Sequence, residues 1–238
     1  MKRRILAGLG LCIILFLSGC TQQMCKKNVL FQLSNLYLIK QGDFDGKVTL
    51  KELKAKGDFG LGTFDRLDGE MAELASVIYQ TKSDGRVYQP GDEIKTPFAM
   101  VTFFAADKSF DIERCENYPE LARLVETQLP DKDRIYAVRI EGIFDYLKLR
   151  SAVIQSKPYK LLDEALEEEA VFERKDISGT LVGFWFPAYM KELNQAGIHL
   201  HFISADKQSG GHLLEGKFSW IKVELGYIRE FKMLFTKR

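Results

Sequence analysis

The chain is predicted to fold as a β-rich α+β body, and three observations carry that expectation. Apolar and polar residues alternate with period two over residues 198–203 and recur in short β-leaning runs along much of the chain. Helical periodicity is confined to residues 118–128 (YPELARLVETQ), joined by one short acidic run at 161–170 (LLDEALEEEA). Turn formers such as Ser83-Asp84-Gly85 and SADKQSGG at 204–211 separate the runs, with no internal repeat or low-complexity segment. Sheets with two or so short helices follow.

From the N-terminus, Lys2-Arg3-Arg4 and the apolar stretch 5–16 form the n- and h-regions of an export signal. Twelve apolar residues are too few to span a bilayer as a helix. The segment ends Leu17-Ser18-Gly19-Cys20, which resembles a bacterial lipoprotein signal. Cleavage before Cys20 would leave that thiol to carry lipid and anchor the exported chain to a membrane on its extracytoplasmic face. Residues 1–19 thus read as signal and 20–28 as a polar tether. Cys12 leaves with the signal, so only Cys25 and Cys115 remain as thiols, too few for a disulfide framework. The signal also removes three cations, so Lys+Arg falls from 34 to 31 against 33 Asp+Glu. With neither a basic stripe nor a basic–aromatic repeat, that balance gives no support to nucleic-acid binding.

Residues 29–39 (VLFQLSNLYLI) read as strand. Residues 41–52 (QGDFDGKVTLKE) nearly match a calcium-binding EF-hand loop, but Gln41 stands where the first carboxylate belongs. A turn rich in Asp and Gly is the simpler expectation. Residues 57–71 (GDFGLGTFDRLDGEM) hold Gly57, Gly60 and Gly62 without a phosphate-loop Lys or a dinucleotide spacing. Two readings stay open there: an irregular loop with solvated acids, or a loop close to a ligand that delivers Glu70. Strands are expected at 74–80, 86–88, 98–105, 179–186, 198–203 and 213–227. A strand pair or bent strand is expected at 135–150, with Gly142 at the corner. The charge run at 161–170 reads as a solvated helix face.

All three histidines of the chain, His199, His201 and His212, lie within residues 197–212 (GIHLHFISADKQSGGH). Two residues apart on a strand, His199 and His201 project from one face, about 7 Å apart. The turn at 204–211 would carry His212 back toward them on a hairpin. Three imidazoles suit zinc foremost, with iron, manganese or nickel as other candidates, and leave room on the metal for substrate.

The motifs GDFGLGTFDRLDGEM, GTLVGFWFPAYM at 179–190 and GIHLHFISADKQSGGHLLE at 197–215 together resemble those of alpha-acetolactate decarboxylases, in the same order. The likeness covers about residues 29–230. It implies a two-lobed body of mixed and antiparallel sheets with few helices and a metal site on a C-terminal hairpin, usually dimeric. A lobe division near 29–130 and 131–238 is expected. The implied reaction converts 2-acetolactate to acetoin and carbon dioxide on zinc held by His199, His201 and His212. Glu70 and Arg150 match the family's catalytic acid and arginine, and Thr63 matches a pocket residue. The family's C-terminal tail also brings a glutamate to the metal. Beyond Glu215 this chain offers only Glu224 and Glu230, and neither aligns with it convincingly.

A Lewis acid that chelates hydroxyl and ketone oxygens would stabilise the charge left by departing carbon dioxide. Arg150 suits a carboxylate, and Glu70 suits the proton. A non-catalytic metal-binding lipoprotein derived from such an enzyme is the competing expectation. A cupin-type oxygenase fits less well, because Ser204 and Ala205 stand where its Glu would follow the second histidine.

Overall fold

The computed structural model describes residues 27–235. The signal segment, Cys12, Cys20 and Cys25 lie outside the described residues. Among those described, no helix is long and apolar enough to cross a membrane.

The first sheet is assembled from β1 (Val29–Leu33), β3 (Phe59–Thr63), β4 (Glu70–Leu74), β5 (Val77–Thr81), β6 (Val87–Tyr88), β8 (Ala99–Thr102) and β14 (Glu230–Leu234). Its order is β14-β1-β8-β3-β4-β5-β6, parallel at β1–β14 and antiparallel elsewhere. A small pair joins β2 (Val48–Thr49) to β7 (Lys95–Thr96). The second sheet holds β9 (Lys108–Cys115), β10 (Tyr136–Ser151), β11 (Ala170–Phe186), β12 (Gly197–Ser204) and β13 (Gly210–Tyr227). There β10 pairs with both β11 and β13, and β12 bridges β11 to β13, so these four strands close into a ring. The fold is thus β-rich with mixed and antiparallel sheets, as the sequence predicts.

Burial explains the ring. In β12, Ile198, Leu200 and Phe202 point inward to join Val138, Ile140 and Leu149 of β10 and Leu213 and Val223 of β13. The longest helix among the described residues, α3 (Tyr118–Thr127), adds Leu121 and Val125, and its N-terminus is capped by the Asn117 side chain. The alternate residues of β12 face the first sheet. Between ring and sheet lies a second core with Leu61, Ala72 and Met100 on one side and Val182, Phe184 and Ile203 on the other. Period-two alternation therefore sends apolar residues into the ring and His199 and His201 toward β4.

Several sequence expectations are corrected. Leu36–Lys40 is a helix, α1, not the end of a strand; the Asn35 side chain accepts a hydrogen bond from the Leu38 N–H and starts it. After α1 the Asp-rich segment is a turn, as expected, with its carboxylates taken by protein partners: Asp43 by Lys47, Asp45 by Lys157 and Tyr159. A second short helix, α2 (Leu50–Lys54), follows with a Thr49–Glu52 capping box. Residues 57–71 are not an irregular loop. They supply the buried strand β3, a strap at 64–69 and the start of β4, where Gly60 and Gly62 allow the close approach of β8. The long apolar run at 135–150 is one strand, β10, and the first of its three register shifts against β13 falls at Gly142. The acidic helix α4 spans only Leu162–Leu166, and β11 begins at Ala170 rather than Gly179. Strands β9 and β14 were not expected. They also correct the lobe division: the chain leaves the first sheet after Thr102, β9 already belongs to the second, and β14 returns to the first. A cut near 130 would split the second sheet.

One buried acid stands apart. Glu73 of β4 faces the small core under α2, opposite Gly60, and neither carboxylate oxygen has a partner among the described residues. Burial, with Asp58 nearby, pushes its carboxyl up to about 8. Because the folded state holds this proton more tightly than the unfolded chain, stability is lost as pH rises from about 5 toward 8. Glu73→Gln is expected to flatten that decline, with a gain on the order of 2 kcal/mol at pH 8 that vanishes near pH 4.5. Denaturant unfolding at both pH values measures it; parallel pH profiles for the two proteins would refute it.

Candidate active site

Strand register builds the site. Arg150 of β10 stands opposite His212 of β13, and His212 stands opposite His201 of β12, so three functional positions form one row across three strands. Gly211 makes the row possible. Its φ of 135° is unfavourable for other residues, and a Cβ there would lie 2.6 Å from the Arg150 carbonyl oxygen. Across the gap, Thr63 of β3 and Glu70 of β4 are register partners in the first sheet.

The three imidazoles converge. His199 Nε2 lies 3.2 Å from His201 Nε2 and 3.1 Å from His212 Nδ1, and the third edge is 3.2 Å. A tetrahedral cation binding three nitrogens at about 2.0–2.1 Å sets them about 3.3 Å apart, close to this triangle. The His201 Nδ1–H donates to the Met71 carbonyl at 2.7 Å, which leaves its Nε2 with a free lone pair. With that atom an acceptor, at most two of the three nitrogen–nitrogen contacts can be hydrogen bonds. A shared cation satisfies all three, so the donor set fits a divalent transition metal. Burial holds all three imidazoles in the neutral, ligating form: His201 is lowered to about 3, and His199 and His212 lie well below the usual histidine value.

Glu70 completes the constellation, with Oε2 at 3.5 Å from His201 Nε2. Burial raises its carboxyl to about 7, opposed by Arg150 and reinforced by Glu169. A cation at the triangle would favour the ionised form again. Arg150 Nη1 donates to Glu169 at 2.7 Å, while its buried Nε has no partner among the described residues. The three histidines, Glu70 and Arg150 line one cavity of about 310 Å³ together with Thr63 and an apolar wall that includes Leu36, Leu61, Leu67 and Phe98. The Thr63 hydroxyl donates to the Gly69 carbonyl, pinning the strap that leads into Glu70. Within the strap Arg66 and Leu67 both have positive φ, and Leu67 is thereby turned to the cavity.

Sequence reasoning named His199, His201, His212, Glu70, Arg150 and Thr63, and the structure brings all six to this cavity. It missed Glu169, which was counted with a solvated charge run, and the Met71 carbonyl. Cross-strand register would have revealed the first, and the packing of the ring on the first sheet the second. Glu224 pairs with Arg139 and Glu230 with Lys232, so neither of those acids is drawn to the cavity.

A sequence model described as alpha-acetolactate decarboxylase matches residues 30–238. The chain is 45% identical over 188 residues to an alpha-acetolactate decarboxylase of Methanosarcina mazei, covering 79% of this chain and 65% of that protein. It is 40% identical over 205 residues to one from Brevibacillus brevis, covering 86% and 72%. The crystal structure of alpha-acetolactate decarboxylase from Bacillus subtilis strain 168 superposes with a TM-score of 0.85 at 31% identity, covering 88% of this chain and 89% of that one. The chain therefore belongs to the alpha-acetolactate decarboxylase family.

Proposed function

We propose that this protein decarboxylates 2-acetolactate to acetoin and carbon dioxide. The observation that carries the proposal is a single cavity in which three metal-competent imidazoles meet one guanidinium and one carboxylate. His199, His201 and His212 would hold a divalent cation, zinc foremost, which would supply a Lewis acid for the negative charge left when carbon dioxide departs. Arg150, with its forked guanidinium, takes the substrate carboxylate and sets its direction of departure. The bond from C2 to the carboxylate carbon breaks, and its electron pair stays with the substrate until a proton arrives. Glu70 Oε2 stands against the triangle and is the group placed to hold and deliver that proton. Leu61, Leu67 and Phe98 exclude water beside the reacting carbon and accept the methyl groups. A metal carrier would have no use for this walled cavity or for Arg150.

We infer further that the chain is exported and held to a membrane by lipid on Cys20, a reading supported by the residue pattern before that cysteine. The family resemblance supports a homodimer.

Purified protein is expected to carry about one equivalent of metal by elemental analysis, and His199→Ala to lose it; unchanged metal in the variant would remove the site assignment. Acetoin should appear from racemic 2-acetolactate faster than in buffer alone, and equal rates would end the enzymatic reading. Arg150→Ala should keep its metal while kcat/KM falls by roughly 10²- to 10³-fold, the scale of losing one positioned charge contact. Cys20→Ser should move the protein from the membrane fraction to the soluble one, and an unchanged distribution would refute the anchor.

A further inference from the structure

We propose that Glu169 is a positioning residue that aims Arg150 at the substrate carboxylate; this rests on the decarboxylase reading of the cavity.

Glu167, Glu168 and Glu169 follow α4 in a row, yet they do different things. Glu168 is exposed and pairs with Lys160. Glu169 donates its backbone N–H to the Leu166 carbonyl at 3.1 Å, and the chain then enters β11 at Ala170, the register partner of Ser151. That tether turns the Glu169 side chain inward, against Arg150 of the neighbouring strand. Both side chains are about four-fifths shielded from solvent, at 19% and 21% exposure, so the pair is not a solvated surface contact.

Among the described residues the guanidinium is engaged at Nη1 alone. Its Nε, buried and without a partner among the described residues, belongs with Nη2 to the edge that matches a carboxylate in bidentate fashion. Holding Nη1 therefore leaves that edge unpaired and fixes its direction. The ion pair restricts the rotamers of the arginine before substrate arrives, so less side-chain freedom is lost on binding.

The test uses metal-loaded full-length protein and Glu169→Gln, which keeps size and shape but loses the charge. Two readouts are taken: steady-state kinetics with 2-acetolactate, and calorimetric binding of 2-hydroxy-2-methylbutanoate. That analogue keeps the carboxylate and hydroxyl but has no ketone to accept electrons. Loss of the orienting charge should raise KM and the analogue's Kd roughly tenfold, the usual scale of one charge-assisted hydrogen bond, with metal content unchanged. In an Arg150→Lys background the same substitution should change both by less than about twofold, since the fork to be aimed is gone. Unchanged KM and Kd in Glu169→Gln, or equal changes in both backgrounds, would overturn the inference while leaving the decarboxylase reading intact. Native protein that makes no acetoin above buffer would overturn the decarboxylase reading itself. If Glu169→Gln folds poorly by thermal melting, Glu169→Asp serves instead, and a Kd equal to the native value would likewise overturn the inference.

Discussion

The contact on which the site depends is the hydrogen bond from His201 Nδ1 to the Met71 carbonyl. It crosses from the ring to the first sheet at the point where β12 faces β4. On the ring side it fixes the ring orientation and the tautomer of a central imidazole, so that Nε2 meets His199 and His212. On the sheet side it anchors the residue next to Glu70. One bond thus coordinates the two halves of the constellation. The apolar layer between ring and sheet supplies the energy, and the bond supplies the registration.

Electrostatics follow from that burial. Three imidazoles kept neutral by desolvation present lone pairs rather than charges, which suits them to a cation and to little else in an apolar setting. A divalent cation held there would join Arg150 in making this end of the cavity positive, opposed by Glu169. That field would draw in a monoanionic substrate. In the proposed reaction carbon dioxide carries no charge away, and the electron pair left behind would lie where the guanidinium and a bound cation could stabilise it.

Much of this was legible in the chain itself, and the exceptions have a common cause. The alternation in GIHLHFI announced both the strand and the segregation of histidines to one face, because period two is a local property. The helix over residues 118–127 was equally local. Strands β9 and β14 escaped notice because their burial comes from neighbours far along the chain: β9 borrows the edge of β13, and β14 lies parallel to β1. The glycines at 60 and 62 looked like a loop signal, yet they serve the close packing of β3 against β8, a tertiary demand that no local window contains. Glu169 was hidden in the same way, since its partner sits 19 residues earlier on an adjacent strand.

The contrast between the two buried acids of β4 shows how little separates a site from a defect. Glu70 and Glu73 are three residues apart, so the pleat sends them to opposite faces of one sheet. Both are raised by burial, to about 7 and about 8. Glu70 looks across at Arg150 and the histidine triangle, where a bound cation would give its carboxylate a purpose. Glu73 looks into an apolar pocket beneath α2, with no partner for either oxygen among the described residues. Had β4 slipped by one residue, Glu73 would have turned toward the ring while Glu70 was buried among leucines. The register that the tight β3–β4 and β4–β5 pairings enforce is therefore part of the chemistry, as much as any side chain that touches substrate.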